Sequence, residues 1–269
     1  MKRPIGILGG MGPAATIDLM QRVMEAVDAR DDADHIPLIV HQNTQVPSRI
    51  AHLIQDTGED AAPALAAMAI DLERAGAVAL AMPCNTAHHY AQTVEAATHL
   101  PFLDMVALVC RHVKEIIRTP ADSSVPKLGL LGSPALAKVG VYDNHEQAAG
   151  IDILHADPAG KALDLIHAIK ADGVTDWARA ELAGIANELL DRGAGAICIA
   201  CTEFSLIKDA LQMIPAPTFD AIDLLVAEIV RVSTSENARE ASPPLGQTSR
   251  PLQAANDQAK IKETGRLLQ

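Results

Sequence analysis

The stretch Arg74-Ala-Gly-Ala-Val-Ala-Leu-Ala-Met-Pro-Cys84-Asn85-Thr86 returns later in the chain as Arg192-Gly-Ala-Gly-Ala-Ile-Cys-Ile-Ala-Cys201-Thr202-Glu203. Each copy is a short apolar run of strand character that ends in a cysteine followed by polar residues. Outward from these runs the copies still match, because Ile5-Gly-Ile-Leu-Gly9-Gly10 opens one half and Leu128-Gly-Leu-Leu-Gly132-Ser133 opens the other. The interval from strand glycine to cysteine is 78 residues in one copy (Gly6 to Cys84) and 72 in the other (Gly129 to Cys201). A duplicated chain with one thiol per copy can face two thiols across a shared cleft. That arrangement suits chemistry needing an acid on one side of an atom and a base on the other.

Between these landmarks, short apolar strands alternate with helical periodicity. Ile5–Gly9 reads as a strand, followed by a helix over Ala14–Ala29 in which Ile17, Met20, Val23 and Val27 recur at helical spacing. Pro13 sits where a first-turn proline is tolerated. Ile36–Val40 is a second strand. A helix over Ala64–Ala75 turns Leu65, Met68 and Leu72 inward, with Gly76 at its end, and Val78–Met82 is the third strand. The second half repeats the order with Leu128–Leu131, a helix after Pro134, Ile151–Leu154, a helix over Trp177–Asp191, and Ala196–Ala200. Such alternation predicts an α/β fold of two pseudo-symmetric domains, each a parallel sheet flanked by helices, with right-handed crossovers. Ligands of such sheets bind beyond the carboxyl ends of the strands, where both Gly-rich turns and both cysteines fall, so the site is expected in the cleft between domains. The expected division is residues 1–104 plus 216–232, then 105–215, with 233–269 as a mobile C-terminal tail that has lost the hydrophobic pattern.

Composition narrows the function classes. An apolar content of 49% with only 2% aromatics fits closely layered helices on sheets buried on both faces. The formal charge of −12 argues against nucleic acid or an anionic membrane as partner, but leaves room for a small acidic ligand in a locally positive pocket. No apolar run approaches the ~20 residues of a membrane span. The start, Met1-Lys2-Arg3 before Ile-Gly-Ile-Leu-Gly-Gly, imitates a signal peptide, yet its apolar part is short and breaks into glycines, so a buried first strand is expected. Four cysteines without disulfide-like spacing point to a reducing, cytoplasmic setting.

Two motifs have competing readings. Gly10-Met11-Gly12-Pro13-Ala14-Ala15 matches G-x-G-x-x-A, but a dinucleotide site wants an acid at the end of the second strand, and here that strand runs into His41-Gln42-Asn43. Backbone amides at the helix start, near Met11, suit a substrate carboxylate better. Cys198-Ile-Ala-Cys201 is a C-x-x-C, but a single pair is too few for a four-cysteine zinc site, and Cys198 lies inside an apolar strand. Cys198 and Cys110 read as small core hydrophobes, and no metal site is expected. Cys84 and Cys201 end strands and precede Asn-Thr and Thr-Glu at helix starts, a position that lowers a thiol's pKa and presents it to a cleft. Asn85, Thr86 and Thr202 offer donors to a carboxylate and can also cap helices. His88 and His89 follow Cys84 by about one turn and read as surface residues, one of which could tune the thiol.

These residues carry a resemblance. The chain resembles the aspartate/glutamate racemase superfamily, enzymes that work without pyridoxal phosphate through two cysteines, and within it the aspartate racemase branch. The carrying motifs are Gly-Ile-Leu-Gly-Gly-Met-Gly-Pro (6–13), Gln45-Val-Pro-Ser-Arg49, Pro83-Cys84-Asn85-Thr86-Ala87-His88 and Cys201-Thr202-Glu203. The resemblance implies that Cys84 and Cys201 are the catalytic thiols. It also implies that Arg49 and Lys170, otherwise unremarkable charges, hold the substrate's side-chain carboxylate. Glutamate racemases resemble Asp-Ser-Gly-Val-Gly-Gly at the start and Cys-Thr-His at the second thiol, and this chain has neither. Two positions depart from the aspartate racemase pattern: Ser48 stands where an acid is usual before the arginine, and Thr44 where a proline is common. Both lie in the region that sets specificity.

The expectation is therefore an isomerase that interconverts L- and D-aspartate, or a broader set of amino acids, with no cofactor. One thiolate would take the α-proton while the opposite thiol delivers one, and amides near Met11 with Asn85, Thr86 and Thr202 would hold the α-carboxylate. Its partners are an amino-acid substrate and, by the resemblance, a second copy in a homodimer. Open alternatives are a glutamate or hydantoin racemase, an isomerase or decarboxylase of small dicarboxylates, and an amino-acid-binding sensor without catalysis.

Overall fold

The computed structural model describes residues 2–117, 126–156 and 160–235. Its first half runs β1 (Ile5–Gly9), α1 (Pro13–Glu25), β2 (Leu38–Gln42), α2 (Arg49–Leu53), α3 (Ala62–Arg74), β3 (Ala79–Ala81), α4 (Ala91–Ala97), β4 (Phe102–Leu103) and α5 (Met105–Ile116). The second half runs β5 (Lys127–Leu131), α6 (Pro134–Val139), β6 (Asp152–His155), α7 (Lys161–Asp172), α8 (Asp176–Asp191), β7 (Ala196–Ile199), α9 (Thr202–Ser205), β8 (Thr218–Asp220) and α10 (Ala221–Thr234). Two four-stranded sheets result, ordered β2-β1-β3-β4 and β6-β5-β7-β8. Every strand pair is parallel, and the identical order makes the repeat visible in three dimensions.

Alternation along each strand explains the unbroken apolar runs. Ile5, Ile7, Ala79 and Ala81 point into one large core that they share with Leu128, Leu130, Ala196 and Cys198 of the other half. Leu8, Leu80 and Met82 point the other way, onto α3 and α4, and Leu131, Ile197 and Ile199 point onto α7 and α8. Each sheet thus buries both faces, one against its own helices and one in the joint core, where α5 and α10 pack together. Cys110 and Cys198 lie wholly buried there, where burial pushes both thiols up, Cys110 to about 12.

The matched glycines have matched reasons. A Cβ on Gly6 would come within 2.8 Å of Leu80 and 3.2 Å of Leu72 on α3. A Cβ on Gly129 would come within 2.7 Å of Ile197 and 3.2 Å of Leu189 on α8. Only glycine lets each helix lie this close to its first strand. At the ends of α3 and α8, Gly76 and Gly193 adopt φ of +95° and +93°, the left-handed step that ends a helix cheaply with glycine.

Several expectations are corrected. α1 ends at Glu25 rather than Ala29, and its buried stripe is Ala15, Thr16, Leu19 and Val23. Ile17 and Met20 are 58% and 40% exposed, because the apolar pattern admits two stripes and packing on β1 and α10 selects the one through Leu19. The second sheet also extends beyond the boundary expected at 216, since Thr218–Asp220 pairs with β7. α10 then packs on α5 and α1. Ser233 and Thr234, expected in the tail, are helical, and Ser233 Oγ donates to Arg3 O at 2.7 Å. The remainder of that expected tail, 236–269, lies outside the described residues. Among the described residues no helix is long and apolar enough to cross a membrane.

Acidic residues close both halves in the same way. Asp104 follows β4 and accepts from the N–H groups of Val106 and Ala107, capping α5. Asp220 ends β8 and accepts from Ile222 N–H, capping α10. Each also reaches across the halves. Asp104 pairs with His145 at 3.0 Å, and Asp220 with Arg22 of α1 at 2.7 Å.

Candidate active site

Parallel sheets place their carboxyl-end loops on one side, and the loops of both sheets meet at a single cavity. Its walls contain all eight residues singled out in the sequence: Met11, Arg49, Cys84, Asn85, Thr86, Lys170, Cys201 and Thr202. Cys84 follows β3 and Cys201 follows β7, so the repeated strands deliver one thiol each. Both residues are 8% exposed. Ser48, Ile50, Ser133, Ile166, Ala200 and Glu203 complete the lining.

The backbone at each cysteine is fixed. Cys84 N–H donates to Met82 O at 2.8 Å, and its carbonyl accepts from His88 Nδ1 at 2.9 Å. His88 Nε2 accepts from Met105 N–H at 3.1 Å. One ring nitrogen donates and the other accepts, so His88 is a neutral imidazole with its proton on Nδ1. The surface position expected for His88 is therefore wrong, since it is buried while His89 is exposed. Cys201 opens the four-residue α9, and its carbonyl accepts from the N–H groups of Phe204 and Ser205 at 3.0 and 3.2 Å.

His88 and Asp104 make the core around this wall acid-sensitive. Burial lowers the imidazole of His88 below its usual range. Its contribution is therefore complete above the unfolded value of about 6.5 and is lost as pH falls below it. Burial raises the Asp104 carboxyl, but the hydrogen bond and charge of His145, together with the Ala107 N–H, outweigh it and bring it down to about 2. A second loss follows between about pH 4 and pH 2. Urea midpoints are expected to drop from pH 7.5 to 5.5, and to drop less in His88→Gln. An equal drop in both proteins would show that His88 is not the buried neutral group.

The polar groups of the cavity are set up for an anion. Asn85 is only 3% exposed, and its Oδ1 accepts a 2.5 Å hydrogen bond from the hydroxyl of wholly buried Tyr142. That bond from the second half fixes the amide of the first. Asn85 Nδ2 has no partner among the described residues, and buried donors are seldom left so. Arg49, the first residue of α2, donates only to neutral carbonyls: Val46 O at 3.3 Å, Pro47 O at 2.9 Å and Met11 O at 3.4 Å. No carboxylate among the described residues pairs with it. Ser48, which replaces the usual acid, accepts from Ala51 N–H and so caps α2. Met11 contributes a carbonyl to Arg49, and the neighbouring Gly10 N–H is taken by Thr16 Oγ1 at 2.9 Å. Of the amides at this turn, that of Gly10 is thus already engaged.

Lys170 is not a lone charge, because its Nζ lies 3.2 Å from Glu203 Oε1. The other carboxylate oxygen of Glu203 accepts from Cys201 Sγ at 3.0 Å and Thr202 Oγ1 at 3.4 Å. Burial first, then this carboxylate, push the Cys201 thiol well above the ordinary range. The lowered value expected at a helix start is overturned here, for α9 is too short to supply much dipole. Glu203 was visible in Cys201-Thr202-Glu203, but nothing in the sequence pairs it with a lysine thirty-three positions upstream.

Comparisons with known proteins bear on the family and the fold. The family described as Asp/Glu/Hydantoin racemase matches residues 8–229. A broad specificity amino-acid racemase, RacX of Bacillus subtilis, is 28% identical over 213 residues, which cover 77% of this chain and 88% of that protein. Among solved structures, Picrophilus torridus aspartate racemase superposes with a TM-score of 0.73 at 24% identity, covering 89% of this chain and 97% of the other. Glutamate racemase of Francisella tularensis, in complex with D-glutamate, gives 0.60 at 16% identity, covering 91% and 85%. At these identities the structures report shared fold.

Proposed function

The chain belongs to the Asp/Glu/hydantoin racemase family, and we propose that it is an isomerase interconverting the enantiomers of an acidic amino acid, aspartate foremost, by proton transfer between Cys84 and Cys201. The observation that carries the reading is the meeting of two thiols, from corresponding strand ends of a repeat, in one cavity that also holds an unpaired buried amide donor and a cation without a carboxylate. A sensor needs only the last two.

The reaction is hard because the α-proton of an amino acid is weakly acidic and no attached electron sink spreads the carbanion's charge. In the proposed cycle the α-carboxylate is held by Asn85 Nδ2 and the Thr86 hydroxyl, joined by the Thr202 hydroxyl as it turns from Glu203. The side-chain carboxylate lies against Arg49, with Lys170 shared between it and Glu203. Cys84, as thiolate, takes the proton from Cα. The electron pair of the broken C–H bond is drawn toward the α-carboxylate, where fixed donors stabilise it. On the other face Cys201 S–H breaks and a new Cα–H bond forms, leaving Cys84 as thiol and Cys201 as thiolate. The reverse direction exchanges the roles, so the pair titrates as a unit. No cofactor enters the proposed cycle. The expected homodimer is not needed for any of these steps.

Arg49 is the group that reads the substrate's far end. In an enantiomer-resolved assay, aspartate is expected to racemise faster than glutamate and both faster than neutral amino acids. Arg49→Met should lower kcat/KM for aspartate by about 10²-fold, the scale of about 2–3 kcal/mol for a charge-assisted hydrogen bond, with much less effect on any neutral substrate. Equal losses on acidic and neutral substrates would move the carboxylate away from Arg49. No racemisation of any amino acid would remove the function itself.

A further inference from the structure

The repeat is broken at one chemically decisive position. Two residues after the thiol, the first copy has Thr86 and the second has Glu203. The structure makes this difference local to the sulfur, because Glu203 Oε2 accepts from Cys201 Sγ at 3.0 Å while Oε1 lies 3.2 Å from Lys170 Nζ. We infer that Glu203 is a positioning residue that keeps the proton on Cys201 and so makes two thiols from equivalent strands unequal at rest, with the first proton abstraction falling to Cys84. This inference rests on the racemase reading for its consequence, but the proton's location can be measured without turnover.

The physical basis is short-range. A carboxylate beside a sulfur favours the neutral thiol, which donates a hydrogen bond, over a thiolate, which would face a second anion across 3.0 Å. Burial acts in the same sense, and Lys170 opposes both, though its amine stands on the far side of the carboxylate and is half exposed. The other charged and titratable groups of the cavity are Arg49 and Cys84 on the opposite wall. The helix that Cys201 opens has four residues, too few to reverse the preference. A substrate that brings a carboxylate to Lys170 takes away part of Glu203's counter-charge. Binding an acidic amino acid therefore strengthens Glu203's hold on the Cys201 proton, so an acidic substrate itself prepares Cys201 to act as the acid.

Peptide-resolved alkylation by iodoacetamide tests this, since only a thiolate reacts at appreciable rate and both cysteines are equally exposed. In the unmodified protein Cys84 is expected to be labelled before Cys201. Glu203→Gln preserves shape and removes the charge, so Cys201 labelling should rise about tenfold or more, with its pH profile moved down by ~1 unit. Lys170→Met should slow Cys201 further. Circular dichroism and a thermal melt establish that each variant is folded, and if Glu203→Gln is not, Glu203→Asp, which withdraws the carboxylate from the sulfur, takes its place. Cys201 labelled first, or a Cys201 profile unmoved in a folded charge-removed or charge-withdrawn variant, would overturn the inference. That result alongside full racemisation would leave the enzyme reading intact. The expected labelling with no racemisation would keep the proton assignment and defeat the function.

Discussion

Replacing Cys84 or Cys201 with alanine is expected to lower racemisation by at least about 10³-fold, within the range contributed by a positioned acid or base. The loss should exceed that for any binding residue, because in the proposed cycle each thiol performs a proton transfer that no other residue lining the cavity is placed to make. Folding should survive, since each side chain is small and sits at the cavity wall rather than in the joint core. The two variants should fail differently. Cys201→Ala keeps the base Cys84 and is expected to exchange the α-proton of one enantiomer with solvent without inverting it. Cys84→Ala should do so, more slowly, with the opposite enantiomer. Wild-type racemisation in both single variants would end the two-thiol account.

The second large effect concerns stability. Arg22 on α1 bonds to Asp220 at 2.7 Å, Asp223 at 2.6 Å and Asp18 at 2.8 Å, with its side chain 11% exposed. Burial opposes its charge, but the three carboxylates more than compensate and hold it firmly protonated. Asp220, 2% exposed, is raised by burial even with Arg22 beside it, so the intact pair is at best a modest net gain. Its removal is another matter. Arg22→Met strands a carboxylate that also caps α10 and receives Ser205 Oγ at 3.0 Å. The expected cost is about 3–5 kcal/mol, or roughly 6–20 °C in melting temperature for a chain of this size. A raised acid destabilises as pH rises above its unfolded value of about 3.9, so the deficit should be larger at pH 7 than at pH 4. A change under 1 kcal/mol at pH 7 would show that Asp220 finds another partner. Ser205 Oγ also lies 3.4 Å from Cys201 O, so the variant is expected to lose some activity even where it remains folded.

What could be read in the sequence follows from the range of the forces involved. The repeat, the long strands and helices α3 and α8 announce themselves through periodicity, which is local. β4 and β8 have two and three residues, too short for a period, and they exist because a neighbouring strand offers them a ladder. The same ladder on β7 carries the second sheet past 216. In the site, the cysteines and their polar neighbours were legible because duplication marks them twice, and Arg49 and Lys170 only through family resemblance. Three features were not legible: the Tyr142–Asn85 bond, the neutral buried His88, and the Cys201–Glu203–Lys170 chain. Each joins residues that only the tertiary fold brings together, and the last inverted the expected sign of the Cys201 shift.

The central claim is that protons leave and arrive on opposite faces of Cα. Conversion of L-aspartate in heavy water, stopped early and resolved by enantiomer, tests it most directly. Two thiols predict deuterium in nearly every D-aspartate formed while the remaining L-aspartate keeps its proton. Deuterium entering the remaining L-aspartate as fast as D-aspartate appears would mean a single base serves both faces, and the account would be contradicted.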